Sequence, residues 1–388
     1  MKDYPQEIIK DIEAAKEAFE AMLIEQYERN KRIAERSEIV SGDADCITIG
    51  LAPGDGIGPI IMDETRAVLK TLLADAIGSG KIALKDIEGF TIENRLDKGE
   101  TVPAEVLAEM ESCNVLLKGP TTTPNAAMGG KNLESANVFL RKHFDLYANV
   151  RPVCLPAEGI DWTFFRENTE GEYALGSKGI RVGDSFSMDF KVTTAEGSKR
   201  IAKAAFDFAR ANGKDRVSIV TKANIMKKTD GDFQGICLDV AKEYPEIKAD
   251  TWFVDIMAAN LVNTDIRSGF QVFVLPNLYG DIITDEAAQI QGGVGTAGSA
   301  NIGSDYAIFE AIHGSAPRMV EEGIADRANP ASLMTAAVML LRHIGYSAEA
   351  DKLEAAVAAA DAKLGARMTG LADGGTCAEF AAEVVNNL

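Results

Sequence analysis

Apolar side chains recur at Ile8, Ile12, Ala15, Phe19 and Met22, in alternating steps of four and three, with mostly charged residues between them. That spacing draws one apolar stripe along a helix over residues 5–36. Such a stripe packs either on its own domain or on another copy of the chain, and periodicity leaves both open. Ser41-Gly42-Asp43-Ala44-Asp45 then reads as a linker.

From Cys46 the pattern changes. Short β-type runs are expected at 46–51, 115–117, 162–166, 217–221, 251–254 and 272–275. Between and after them, amphipathic stretches predict helices from Pro59 to about Ala76 and at 195–212, 231–244, 258–264, 284–291, 330–344, 348–363 and 377–387. A glycine-rich stretch, 292–303, separates two of these helices. Strands alternating with helices imply an α/β sandwich, and 388 residues imply two domains or one large discontinuous α/β unit.

Charge narrows the partners. A net charge of −19 makes nucleic acid and anionic membranes poor candidates, because both select clustered Lys and Arg. No run approaches the length of a membrane span. The N-terminus lacks a signal pattern and is too acidic for a mitochondrial presequence. Five dispersed cysteines without a CxxC pair read as reduced thiols in a cytoplasmic setting, and three histidines are too few to expect a His-based metal site.

Four segments carry candidate chemistry. Gly54-Asp55-Gly56-Ile57-Gly58 joins a strand to a helix, but its spacing departs from a dinucleotide fingerprint and suits a plain tight turn better. Asp281 and Asp285 share one helical face, as a hard cation such as Mg²⁺ or Mn²⁺ would require. A solvated acidic face gives the same spacing. Arg141, Arg151 and Arg166 suit a polycarboxylate if they converge, which spacing does not show. His313-Gly314-Ser315-Ala316-Pro317 with Asn329-Pro330 suits a nucleotide or an ordinary turn.

Together these segments resemble the isocitrate/isopropylmalate dehydrogenase family of β-decarboxylating dehydrogenases, in family order over roughly residues 46–388. The motifs are Gly-Asp-Gly-Ile-Gly-Pro, Ser-x-Asn-x-x-x-Arg, Arg-Glu-Asn-Thr-Glu, Lys-x-Asn-Ile-Met-Lys, Asn-Leu-x-Gly-Asp-x-x-x-Asp and His-Gly-Ser-Ala-Pro. The resemblance implies a large discontinuous α/β domain (46–146 and 291–388) and a smaller α/β domain (147–290) with a dimer-contact segment near 171–195. Residues 1–45 are an added N-terminal helical extension. It further implies a homodimer whose active sites are shared between subunits, with a higher oligomer through the N-terminal helix as a variant.

By the same resemblance, Asp281 and Asp285 are metal carboxylates and Asp255 is the ligand supplied by the other subunit. Arg141, Arg151 and Arg166 clamp the substrate carboxylates. Tyr173 is the catalytic tyrosine; Lys222 and Asn224 belong to the catalytic segment lent by the partner. Lys118, Thr122 and Thr123 face the nicotinamide. Glu310, His313, Gly314, Ser315, Ala316, Arg318 and Asn329 belong to the cofactor loop. The reaction implied is metal-dependent oxidation and decarboxylation of a 2-hydroxy acid.

Ser135 and Asn137 resemble the isocitrate pattern, since a hydroxyl and an amide suit a third carboxylate. Homoisocitrate and 3-isopropylmalate are the alternatives. A regulatory subunit is the other rival, although the catalytic set is complete. Arg318-Met319 matches neither the NAD nor the NADP pattern. Ala328 and Asp373-Gly374-Gly375-Thr376 resemble NAD-type members, so NAD is favoured with NADP as the alternative.

Overall fold

Most parallel strands of this fold are buried on both faces, and such strands read as near-continuous apolar runs. The computed structural model describes residues 5–35, 46–124, 133–175, 178–293 and 295–388. The linker expected at 41–45 lies outside the described residues. In chain order the strands are β1 (Ile47–Ala52), β2 (Ile82–Asp86), β3 (Val115–Lys118), β4 (Ala148–Leu155), β5 (Ile160–Glu167) and β6 (Ile180–Val182). They continue with β7 (Phe186–Met188), β8 (Arg216–Thr221), β9 (Lys248–Phe253), β10 (Val272–Leu275), β11 (Gly298–Ile302) and β12 (Ala307–Ala311).

The chain divides into two units. One comprises Val40–Thr163 and Thr284–Leu388; the other comprises Met1–Ile39 and Phe164–Ile283. The unit boundaries lie at 163/164 and 283/284, and helix Gln6–Glu35 falls in the second unit. The chain crosses between units inside strand β5 and inside helix Asn277–Gln291.

In the larger unit the strand order is β2-β1-β3-β12-β11-β4. Strands β2, β1, β3 and β12 run parallel, while β11 is antiparallel to both β12 and β4. Every residue of β3 and β12 is buried. Leu116 and Ile308 pack with Phe90, Val106, Met110, Leu140 and Leu146 in one core. Strand β11 falls inside the stretch read as glycine-rich, 292–303. Its small residues carry little strand propensity of their own, and pairing on both edges makes the strand.

In the smaller unit the order is β5-β10-β8-β9, with β8 parallel to β10 and β9. Strands β6 and β7 form a separate antiparallel pair. Helix Ala195–Ala211 starts at Thr194, whose Oγ1 accepts the Gly197 N–H at 3.0 Å, and it buries Ile201, Ala205 and Phe206. The N-terminal helix, Gln6–Glu35, packs on this unit. Met22 is buried with Ala174, Leu175, Ile180 and Val182, and Ile8 and Ala15 lie against them.

Two helices begin earlier than their patterns predict. The helix expected at 284–291 starts at Asn277, directly after Pro276, so both Asp281 and Asp285 are helical. Gly280 had lowered its apparent propensity. The helix expected at 258–264 runs Val254–Leu261, which puts Asp255 in its first turn.

Candidate active site

The glycine turn is a brace. Gly56 has φ +62, and a Cβ there would strike the Ser315 carbonyl oxygen. The Asp55 N–H donates to Pro120 O at 2.8 Å, Ile57 N–H to Ser315 O at 3.0 Å and Gly58 N–H to Asp55 O at 2.9 Å. These amides are therefore engaged within the protein, where a phosphate-binding loop would leave them pointing at a ligand. The Asp55 carboxylate accepts the N–H groups of Ile92 (2.6 Å) and Thr122 (2.7 Å). Burial raises its pKa, against the lowering effect of those two bonds and of Arg95. Arg95, fully buried, donates to Thr122 O at 2.9 Å. Thr122 is thus held at both its N–H and its C=O, and its Oγ1 lies 2.7 Å from Ser315 Oγ. Thr123 beside it is exposed.

The adjoining pocket is lined by Lys118, Asn137, Arg141, Asn301 and Glu310, among others. Lys118 Nζ sits 2.8 Å from Glu310 Oε2, and Arg141 Nη2 lies 3.4 Å from Oε1. Burial alone would push the Glu310 carboxyl up; Lys118, Arg141 and a 2.7 Å bond from Asn301 Nδ2 overcome it and hold the carboxyl at about 2. Arg141 Nε is buried without an acceptor among the described residues. Asn137 Oδ1 accepts from Thr121 Oγ1 at 3.0 Å, which leaves its amide N–H groups as donors. Ser135 is half-buried one residue before helix Ala136–His143.

On the loop after β12, His313 Nδ1 lies 3.0 Å from Gly314 O. Its Nε2 is buried with no partner among the described residues, and burial lowers its pKa, favouring the neutral ring. Gly314 is exposed, and Ala316 adopts φ +45, a left-handed conformation sparse for alanine. Asn329 Oδ1 accepts the Ala331 N–H at 3.0 Å. Arg318 is exposed and faces Glu322 at 3.6 Å. In the same unit Arg151 Nη1 donates to Thr284 Oγ1 (2.6 Å) and Asp285 Oδ1 (3.0 Å).

In the smaller unit, Arg166 and Tyr173 meet on one carboxylate. Arg166 Nη1 pairs with Asp281 Oδ1, and the Tyr173 hydroxyl donates to Oδ2 at 2.8 Å. The Arg166 guanidinium carbon lies 5.4 Å from the Tyr173 ring centroid. Asn277 holds Arg166 from behind, accepting from its Nε at 2.8 Å while donating to Glu170 O at 2.8 Å. Lys222 and Asp255 form a group of their own: the Lys222 ammonium pairs with Asp255, whose carboxyl is held below its ordinary range by that bond. Asn224 is exposed in the turn that follows. Asp230, fully buried, accepts the Lys222 N–H at 2.7 Å and pairs with Lys191 at 2.6 Å.

Glu167, next to Arg166, is buried and surrounded by the N–H groups of Thr169 and Glu170. Burial, then the like charge of Glu170, pushes its carboxyl up toward about 7, against the pull of Arg29 and Arg200. A raised acid contributes stability that is present below its unfolded pKa and lost as pH rises through the folded one. Stability should therefore fall by roughly 1–3 kcal/mol between about pH 4.5 and 7 from this group. Glu167→Gln should flatten that interval in thermal unfolding; an unaltered slope would assign it to other groups.

Sequence reasoning had not singled out Asp55, Arg95, Asn277, Asp230 or Lys191. Asp55 and Asn277 lie inside motifs already quoted, so the signal was there without a role attached. Arg95, Asp230 and Lys191 gave no local signal, because their partners are distant in the chain.

The isocitrate/isopropylmalate dehydrogenase family model matches residues 48–384. The chain belongs to this family. It is 39% identical over 351 residues to the probable isocitrate dehydrogenase (NAD) subunit alpha, mitochondrial, of Caenorhabditis elegans, covering 89% of this chain and 92% of that one. Against the isocitrate dehydrogenase (NAD) subunit alpha, mitochondrial, of Homo sapiens, identity is 40% over 346 residues, or 87% and 89% of the two chains. The crystal structure of isocitrate dehydrogenase from Methylococcus capsulatus superposes with a TM-score of 0.76 at 35% identity, covering 88% of this chain and 99% of that one.

The donors fit what an isocitrate/isopropylmalate dehydrogenase needs. Asp281 and Asp285 are hard oxygen ligands one helical turn apart, and Asp285 is largely exposed. Among the described residues of one chain no set of three or more acid, His or Cys ligands assembles. For the nicotinamide cofactor, the braced loops and the unpartnered His313 Nε2 offer a built polar wall.

Proposed function

We propose that the chain is an NAD-dependent isocitrate dehydrogenase, converting isocitrate to 2-oxoglutarate and CO2. The observation that carries this reading is the meeting of Arg166 and Tyr173 on the two oxygens of Asp281. It joins a carboxylate binder, a proton donor and a metal carboxylate in one place. The larger unit by itself carries Arg141, Asn137 and Lys118 around one pocket, with Arg151 on Asp285.

Each residue has a task. Arg141, Arg151 and Arg166 bind carboxylates in fork geometry. The Asn137 amide donates to the third carboxylate, where a 3-isopropylmalate enzyme would need an apolar contact. Lys222 takes the proton of the substrate hydroxyl, and Tyr173 delivers a proton to the carbon that loses CO2. Asp281 and Asp285, with Asp255 of a second copy, would hold Mg²⁺ or Mn²⁺, which when bound acidifies the hydroxyl and stabilises charge on its oxygen. NAD, the hydride acceptor, would lie against Thr122, His313, Ser315 and Asn329.

The family resemblance takes Lys222, Asn224 and Asp255 from a second copy, and this reading makes the assembly a homodimer with shared sites. Arg318 pairs with Glu322 only at the surface and could yield to a phosphate. NAD is favoured by Ala328, by Asp373-Gly374-Gly375-Thr376 and by relatives named as NAD isocitrate dehydrogenase subunits. No helix among the described residues is long and apolar enough to cross a membrane. The five free cysteines suit a reducing compartment; we assign the cytoplasm, and the relatives are named mitochondrial.

Initial rates with isocitrate, Mn²⁺ and each cofactor test the proposal. NAD should be preferred, and kcat/KM for isocitrate should exceed that for homoisocitrate and 3-isopropylmalate. A tenfold preference for NADP would overturn the cofactor assignment. No turnover by the chain alone would favour a subunit of a hetero-oligomer, the kind of assembly that the word "subunit" in the relatives' names denotes.

A further inference from the structure

The N-terminal helix ends in a side chain that reaches the active-site segment of its own unit. Arg29 Nη1 donates to Glu170 Oε1 at 2.9 Å, and Nη2 donates to Thr169 Oγ1 at 2.7 Å. Glu170 and Thr169 are both buried, and Arg29 is itself mostly covered. This helix lies before residue 48, where the family match begins. It is thus a contribution of this chain that the family pattern does not contain.

Two short paths run from Arg29 to Arg166. Along the first, Glu170 accepts the Asn277 amide on its backbone oxygen at 2.8 Å, and Asn277 accepts Arg166 Nε at 2.8 Å. Along the second, Thr169 Oγ1 donates to Glu167 Oε1 at 2.6 Å, and Glu167 is the next residue after Arg166. The Thr169 hydroxyl is saturated by this arrangement: it gives its one proton to Glu167 and accepts from Arg29 and from Arg200 (3.1 Å). Glu170 also takes the Thr194 N–H at 2.8 Å, at the start of helix Ala195–Ala211.

Arg29 reaches both residues 169 and 170 with one rigid fork. Two buried carboxylates, Glu167 and Glu170, lie next to each other here, and Arg29 lowers the cost of keeping both. Removing its charge leaves the two acids with one cation fewer beside Arg200, and their repulsion then loosens the segment that holds Arg166.

We propose that Arg29 is a positioning residue for the substrate-binding Arg166, so that the N-terminal helix is part of the active-site scaffold. The role of Arg166 in this statement rests on the function proposed above; the hold of Arg29 on residues 166–170 does not. Arg29 touches no reacting group and acts through Glu170, Thr169 and Asn277.

The test uses the full chain with Arg29→Gln, Arg29→Lys and, as a control on the same helix, Glu25→Gln. Glu25 pairs with Lys178 at the surface and touches neither path. Two readouts are taken: the steady-state constants for isocitrate and NAD, and amide hydrogen exchange over residues 167–173. Arg29→Gln should raise the isocitrate KM about tenfold with the NAD KM unchanged, and speed exchange at Thr169 and Glu170 about tenfold. Arg29→Lys, which keeps the charge but not the fork, should fall between. Glu25→Gln should match the parent in both.

Faster exchange with an unchanged isocitrate KM would overturn the positioning role and leave a structural one. Unchanged exchange would overturn the coupling itself. If Arg29→Gln does not fold, Arg29→Lys carries the same test, and a parental KM in that variant counts against the proposal. If the parent chain turns over no isocitrate, the proposed function fails separately, and exchange still decides whether Arg29 holds the segment.

Discussion

A Lys222→Met enzyme should keep its isocitrate KM within a few-fold and lose about a thousandfold in kcat. The Lys222 ammonium is paired with Asp255, and Lys222 is not one of the groups proposed to bind the substrate carboxylates. Its removal takes away a proton acceptor without dismantling the clamp. The Asp255 carboxyl, held low by Lys222, should move back up toward its ordinary value. Tyr173→Phe should also be severely impaired, because Asp281 Oδ2 loses its hydroxyl donor and the proton source disappears. The two defective chains then probe the shared site. If each site takes Lys222 from one copy and Tyr173 from the other, random mixed dimers restore about a quarter of parental activity. No recovery on co-refolding would place both residues of one chain in the same site and remove the shared-site reading.

Gly280→Ala should reverse the usual sign of that substitution. In a helix interior, alanine in place of glycine normally stabilises by about 0.5–1 kcal/mol. Here a Cβ at 280 would lie 2.6 Å from Arg166 Cγ and 2.7 Å from its Cβ. Arg166 is 1% exposed and tied at Nε to Asn277, so its stem has little room to withdraw. The overpacked pair should cost about 1–3 kcal/mol net. Arg166 would be pushed off Asp281, and the isocitrate KM should rise on the order of a hundredfold. Thermal unfolding and steady-state kinetics read the two effects. A Gly280→Ala chain that is more stable and kinetically unchanged would show that Arg166 is not set by this contact.

The sequence carried the alternating α/β order well, because buried strands such as Val272–Leu275 announce themselves as apolar runs. It carried β11 badly, since Gly298-Ser299-Ala300-Asn301-Ile302 becomes a strand only through its neighbours. The site divides in the same way. Asp281, Tyr173 and Arg166 were legible as motif positions, and the geometry joins them. The amphipathic stripe of the N-terminal helix was legible too, but it left its packing partner open, and it said nothing of Arg29, which lies beyond the stripe. The braces at Asp55, Arg95 and Asp230 were silent because a hydrogen bond to a distant backbone amide leaves no periodic trace.

Arg141, Arg151 and Arg166 each close on an acid of their own unit: Glu310, Asp285 and Asp281. An incoming polyanion therefore meets no bare positive basin. If these arginines bind the substrate carboxylates as proposed, each exchanges its resident carboxylate for one from the substrate. Two of the displaced acids are those that would bind a cation. Anion and cation thus relieve each other's competitor, and by thermodynamic reciprocity each must raise the other's affinity by the same factor. In a chain of net charge −19, the proposed clamp is a set of preformed pairs whose opening either guest would make easier for the other.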